Sequence, residues 1–175
     1  PVVSIVGDNR YFYDNQIGIL ADGSDSNDKN YNHNWRRPIN LELFENQDEE
    51  SVINQLCETR VTGNASRSFP LKSLAVYAHK RFGKKRFEYE CFPGQRPEQT
   101  DYKSFILRNA GNDFDYLYMR DAIIQRSMGM YQDVDWQAWR PAIVLINGVY
   151  KGILNILEGS KADNIYTNYG GLEDI

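Results

Sequence analysis

Apolar residues recur at every second position along several short stretches of the chain, with turn-forming residues between them. "PVVSIVGD", residues 1–8, is an apolar run closed by Gly7-Asp8 and predicts a first strand. "WRRPINLELFE", residues 35–45, sets Ile39, Leu41 and Leu43 against Asn40 and Glu42, the pattern of a half-buried strand. "VINQLCETRVTG", residues 52–63, alternates Ile53, Cys57 and Val61 with Asn54, Glu58 and Thr62, and Leu56 falls on the polar side. These two strands predict a hairpin with the acidic stretch Glu45 to Ser51 at its tip. "PLKSLAVYAHK", residues 70–80, puts Leu71, Ser73, Ala75 and Tyr77 on one face, and Lys72, Leu74, Val76 and Ala78 on the other. "YKSFILRNAGND" predicts a further strand running into a Gly-Asn turn. "PAIVLINGVYKGILNIL" is two apolar runs around Asn147-Gly148, a strong hairpin signal.

The period changes once. In "DYLYMRDAIIQRSMGM", residues 115–130, Tyr116, Met119, Ile123 and Met130 follow helical spacing. Asp113 or Asp115 is placed to cap this helix, and Gly129 to stop it. A second, short helix is expected in "KADNIYTNYGG", ending at Gly170. "DGSDSNDKNYNHN", Asp22 to Asn34, is a polar surface loop; its acids are out of register for a calcium loop and no glutamate closes it. "RFGKKR" is a basic patch leading into a Pro/Gly-rich loop. The sum is an α+β chain: a mainly antiparallel sheet with hairpins and one principal helix.

Composition narrows the function classes. Hydrophobic residues at 41% and aromatics at 13% are enough for a core. A net charge of −4 supplies no basic field, which argues against a nucleic-acid partner. No apolar run is long enough for a membrane span. Two cysteines, Cys57 and Cys91, form either one disulfide or two core thiols, and with two histidines no zinc spacing arises. The start at Pro1, without methionine or leader, and the stop at "YGGLEDI" read as an excised fragment.

Candidate chemistry centres on "TGNASRSFPLKS", residues 62–73. Gly63 permits an unusual backbone, Asn64, Ser66 and Ser68 offer donors, and Arg67 and Lys72 supply charge suited to phosphate. By residue type the stretch is either a structural turn with a surface arginine or a phosphate cradle; it is not a Walker A loop. In "NDFD", Asp113 and Asp115 suit a helix cap better than a metal pair. Arg120 and Asp121 either bridge to neighbouring strands or face a cleft. Glu158 closes an apolar strand, where a carboxylate is either a surface residue or the partner of a lysine such as Lys72. Ser66 and His79 lack the orienting acid that a hydrolase triad requires.

The order "NWRRPINLELFE", "TGNASRSFPLKSLAVYAHKRFG", "YKSFILRNAGND", "YLYMRDAIIQ" and "RPAIVLINGVYKGILNILE" resembles the CotH-like spore-coat protein kinase family. The resemblance implies an atypical kinase that binds ATP with Mg2+ or Mn2+ and phosphorylates serines of coat or extracytoplasmic proteins at the bacterial cell surface or spore coat. It further implies that Ser66, Arg67, Lys72 and Glu158 face the nucleotide. The family's catalytic and metal-binding aspartates are expected beyond residue 175, in a C-terminal lobe, which leaves this single-domain fragment catalytically incomplete. "NILEGS" departs from the family by having Leu157 and Gly159, not a basic residue, beside the glutamate. The rival class is a non-catalytic surface module that binds protein or carbohydrate, supported by the polar loop and by 12 tyrosines. Convergence discriminates the two: the kinase expectation needs Arg67, Lys72 and Glu158 in one cleft.

Overall fold

The computed structural model describes residues 1–46, 50–97 and 99–159. Along these residues run β1 (Val2–Val6), α1 (Asn9–Tyr13), β2 (Arg37–Phe44), β3 (Ile53–Thr62), β4 (Ser73–Tyr77), β5 (Phe87–Glu88), β6 (Asp101–Tyr102), β7 (Ser104–Arg108), α2 (Arg120–Tyr131), β8 (Trp139–Ile146) and β9 (Val149–Glu158). The expected helix in 161–171 lies outside the described residues, as does the middle of the acidic hairpin tip.

The mainly antiparallel α+β expectation holds, and the sheet goes further by closing on itself. Seven strands form a barrel in the order β1-β2-β3-β4-β7-β9-β8. Every neighbouring pair is antiparallel except β1 and β8, which run parallel and seal the barrel. Closure removes the exposed edges that an open sheet would present. The alternating apolar residues point inward: Ile5, Leu41, Val76, Leu107, Val144 and Ile156 are fully covered. Leu56 is 53% exposed, on the outer face where its position in the alternation put it.

Both hairpins form with the expected partners. At the tip of β8–β9, Asn147 and Gly148 both have positive φ, 49° and 77°, as a two-residue turn of this hand requires. The Asn147 side chain also accepts a hydrogen bond from Gly7 N at 2.9 Å, which ties the hairpin tip to the end of β1. Further along, Val144 pairs with Gly152 and Leu145 with Tyr150, so Lys151 is an extra residue in a β-bulge.

Three local expectations are corrected. β4 begins at Ser73, so Lys72 lies before the strand; its ammonium donates to Phe69 O at 3.0 Å. α2 begins at Arg120, leaving Tyr116 and Met119 outside it, and Ile123 and Met130 on α2 are exposed. Only Ala122 is buried, because the helix meets the barrel through a narrow contact with Ile106, Trp139 and Leu157. Gly129 sits inside α2 and does not end it; a Cβ there would overlap the Trp136 ring, so the glycine serves packing.

Asp113 still serves the helix start. Its carboxylate accepts from Arg120 N at 3.0 Å and pairs with the Arg120 guanidinium at 3.1 Å, whereas Asp115 is exposed. Asp121 bridges to Arg108 of β7 at 2.9 Å, whereas Arg120 pairs with Asp113 and not with a strand; both Arg120 and Asp121 also line a cleft of about 280 Å³. Cys57 and Cys91 are separate buried thiols, each pushed up to about 12 by burial.

Candidate functional site

Strand β3 ends at Thr62, and Gly63 turns the chain at φ 114°, where any side chain would be strained and would strike Ser66 Oγ. The tight turn Ala65–Ser68 that follows presents Arg67 back toward the barrel wall. Arg67 donates to Gly63 O at 2.7 Å, to Asn32 O at 2.7 Å and to Asn34 Oδ1 at 3.2 Å. Arg60, on the outer face of β3, donates to the same Asn34 oxygen at 2.5 Å and to the Tyr77 hydroxyl at 3.0 Å. Two guanidiniums therefore converge on one neutral amide oxygen. Burial first, and the Arg60 charge second, hold the Arg67 guanidinium below its ordinary value. A pair of cations with no carboxylate between them among the described residues is an arrangement that an anion relieves.

Beside this pair a shallow groove of about 50 Å³ crosses β3, β4 and β7, lined by Arg60, Thr62, Ala75, Tyr77, Ile106 and Gly159 among others. Next to it Arg36 lies 4.2 Å over the Tyr77 ring, and together with Arg81 it clamps the buried Glu58 carboxylate. Tyr77 is thus an aromatic wall flanked by two arginines, Arg36 and Arg60.

The four residues expected to face nucleotide fall in three places, so the single cleft expected of Arg67, Lys72 and Glu158 is not formed. Ser66 and Arg67 share the turn just described. Lys72 turns to the barrel mouth, 4.3 Å from the Tyr31 ring. Glu158 points into the barrel at the end of β9, where it is 1% exposed. Its Oε2 accepts from Arg96 at 2.9 Å and from Ala138 N at 3.0 Å. The expected Lys72–Glu158 pair is not formed. The register explains why: Glu158 lies level with Phe105 and Val76, whereas Lys72 precedes the far end of β4. Glu158 instead fixes the point from which Gly159 continues into the groove lining.

Sequence reasoning missed Arg60, Asn34 and Tyr77. Arg60 shares the outward side of β3 with Glu58 and Thr62, a position the alternation allows, but nothing local to residue 34 announces that its amide reaches two arginines.

A family model described as CotH kinase protein matches residues 59–174, about two thirds of the chain. The chain belongs to the CotH kinase family. No curated protein matches the chain. The CotH match carries a kinase-like, spore-coat theme, and with it nucleotide and metal use and protein substrates in general terms. The matched span starts at the end of β3 and takes in the Gly63 turn, the groove and Glu158. The first two strands lie before it, yet β1 closes the barrel against β8.

Phosphate suits the arginine pair. A divalent metal does not, because the groove offers hydroxyls and cations, and no cluster of three His, Cys, Asp or Glu occurs among the described residues. No helix among them is long and apolar enough to cross a membrane.

Proposed function

We propose that this CotH chain forms the phosphate-holding side of an ATP-dependent protein kinase site whose substrates are serines of coat or extracytoplasmic proteins. The observation that carries this is the convergence of Arg60 and Arg67 on Asn34 Oδ1 beside the Tyr77 groove. Phosphate oxygens would take the place of the amide oxygen as acceptor for both guanidiniums, a charge-assisted contact stronger than the neutral one it replaces. Ser66 braces the Gly63 turn. Glu158 acts as a positioning residue by anchoring the end of β9, and Lys72 joins the site only through its turn. In ATP-dependent transfer a divalent metal neutralises the phosphates, and the groups that hold it and orient the serine come from outside the described residues. Residues 1–175 then act as one domain of a larger catalytic unit.

A second reading, a protein-binding module, is favoured by the exposed apolar residues Tyr116, Leu117, Ile124, Met130 and Tyr131 on and before α2.

Calorimetric titration of ATP with Mg2+ into the chain separates the two. Saturable binding is expected, weakened about tenfold or more by Arg60→Gln and by Arg67→Ala, since a charged hydrogen bond contributes about 1.5–3 kcal/mol. Lys72→Ala is expected to change affinity by less than about twofold. Absence of saturable heat, or an affinity unchanged from the parent in both arginine variants, would overturn the assignment and leave the module reading.

A further inference from the structure

The barrel end where β4 begins holds a cavity of about 140 Å³. Its walls are Leu71, Leu74, Val144, Ile146 and Leu154, and its remaining lining includes Tyr13, Lys72 and Lys151. Barrel mouths with apolar walls and a few convergent polar groups are a common place for small-molecule sites. The two lysines set the character of this one.

Neither lysine is paired with a carboxylate among the described residues. Lys72 is half-buried, donates to Phe69 O and rests on the Tyr31 ring. Burial, the larger influence, holds its ammonium below the ordinary value, with Asp22 acting in the other direction. Lys151 lies 5.0 Å from the Tyr13 ring. It reaches the mouth because it is the extra residue of the bulge in β9; without the bulge, strict alternation from Tyr150 to Gly152 would assign its side chain differently. Gly152, at φ 136°, lets Leu71 pack directly over the strand beside it. A bulge, a positive-φ glycine and two unpaired ammonium groups therefore meet at one apolar cavity.

We propose that the barrel mouth binds a small organic carboxylate with an apolar body of about one ring, the benzoate class. The carboxylate is taken by Lys72 and Lys151, and the hydrocarbon rests on Leu71, Leu74, Val144 and Leu154. Size supports one ring: an engineered apolar cavity of about 150 Å³ takes up benzene. Charge supports an anion, because neither ammonium at the mouth forms an ion pair with a carboxylate among the described residues. The apolar walls disfavour inorganic phosphate, which would lose its hydration against leucine and valine. None of the residues lining this cavity lines the Tyr77 groove, so the proposal does not depend on nucleotide binding.

Amide chemical-shift titration of the whole chain tests it, with benzoate, benzyl alcohol and inorganic phosphate as probes. Benzoate is expected to bind saturably with a dissociation constant of about a millimolar to ten millimolar, shifting Leu71, Lys72, Gly152 and Leu154. Benzyl alcohol, of the same size without the charge, is expected to bind about tenfold more weakly. The double variant Lys72→Gln, Lys151→Gln should fold, since both side chains are partly exposed, and should lose the preference for benzoate. Equal binding of benzoate and benzyl alcohol would overturn the proposal, as would undiminished benzoate binding in the double variant. Phosphate shifting the same residues as strongly as benzoate would also overturn it, by showing an unselective cationic patch.

Discussion

Replacing Glu158 with alanine is expected to destabilise the fold by about 3–5 kcal/mol, the range found when one member of a buried ion pair is removed. Glu158 is essentially inaccessible, and its partner Arg96 is itself 15% exposed, lying 4.4 Å over the Trp136 ring. Truncation would leave the Arg96 guanidinium without its counter-charge and Ala138 N without its acceptor. Arg96 keeps its bond to Trp136 O, which moderates the loss without neutralising the charge. Glu158→Gln retains an acceptor for Ala138 N but no charge, and should fall between alanine and the parent. Urea unfolding of the three proteins checks this, with the change read in the midpoint at constant slope. A loss below about 1 kcal/mol for alanine would mean that Arg96 finds water or another partner, and that Glu158 does not anchor the end of β9.

The second large effect belongs to Asn109, which is fully buried where β7 ends. Its amide nitrogen donates to Leu71 O at 2.7 Å and Ser66 O at 3.3 Å. Its amide oxygen accepts from Ser73 Oγ at 2.7 Å and Gly111 N at 3.1 Å. One side chain thus holds the Gly63–Lys72 turn, the start of β4 and the Ala110–Gly111 bend, where both residues have positive φ. Asn109→Ala leaves several buried groups without partners, each costing about 1–3 kcal/mol if water cannot reach it, so a total loss of roughly 2–4 kcal/mol is expected after partial relaxation. Asn109→Asp should also destabilise, because a carboxylate cannot donate to Leu71 O or Ser66 O. The same substitutions loosen the turn that carries Arg67, so ATP affinity should fall although Asn109 touches no ligand. Thermal melts and titrations on both variants decide the matter; a melting temperature unchanged by Asn109→Ala would remove the hub role.

Much of the barrel was legible because alternation is a local property. The spacing of Ile39, Leu41 and Leu43, and of Cys57 and Val61, fixes which side of each strand is apolar, and the structure turns those sides inward. Asn147-Gly148 specified its own turn. Closure was not legible, since the β1–β8 contact depends on long-range register and each strand reads the same in an open sheet. The helix misled for a related reason. Tyr116, Met119, Ile123 and Met130 have helical spacing, but the barrel beneath α2 presents only a narrow apolar contact and a charged Arg108, so the periodicity does not mark the buried face. At the site, residue types pointed to Arg67 and the Gly63 turn. Arg60 and Asn34 come from separate segments, and only the fold brings them to one point. Lys72 and Glu158 were paired by analogy of roles, whereas the strand register sets them at different levels of the barrel. Lys151 had one local signal, the glycine that follows it inside a strand pattern, which is a mark of a bulge.

The decisive measurement is an amide chemical-shift map of the chain titrated with a non-hydrolysable ATP analogue and Mg2+. Perturbations concentrated on Thr62, Arg67, Tyr77, Ser104 and Gly159 are expected if Arg60 and Arg67 hold the phosphates beside the groove. Perturbations concentrated on Lys72, Lys151 and Leu154, or on α2, would contradict that assignment and place the nucleotide elsewhere on the molecule.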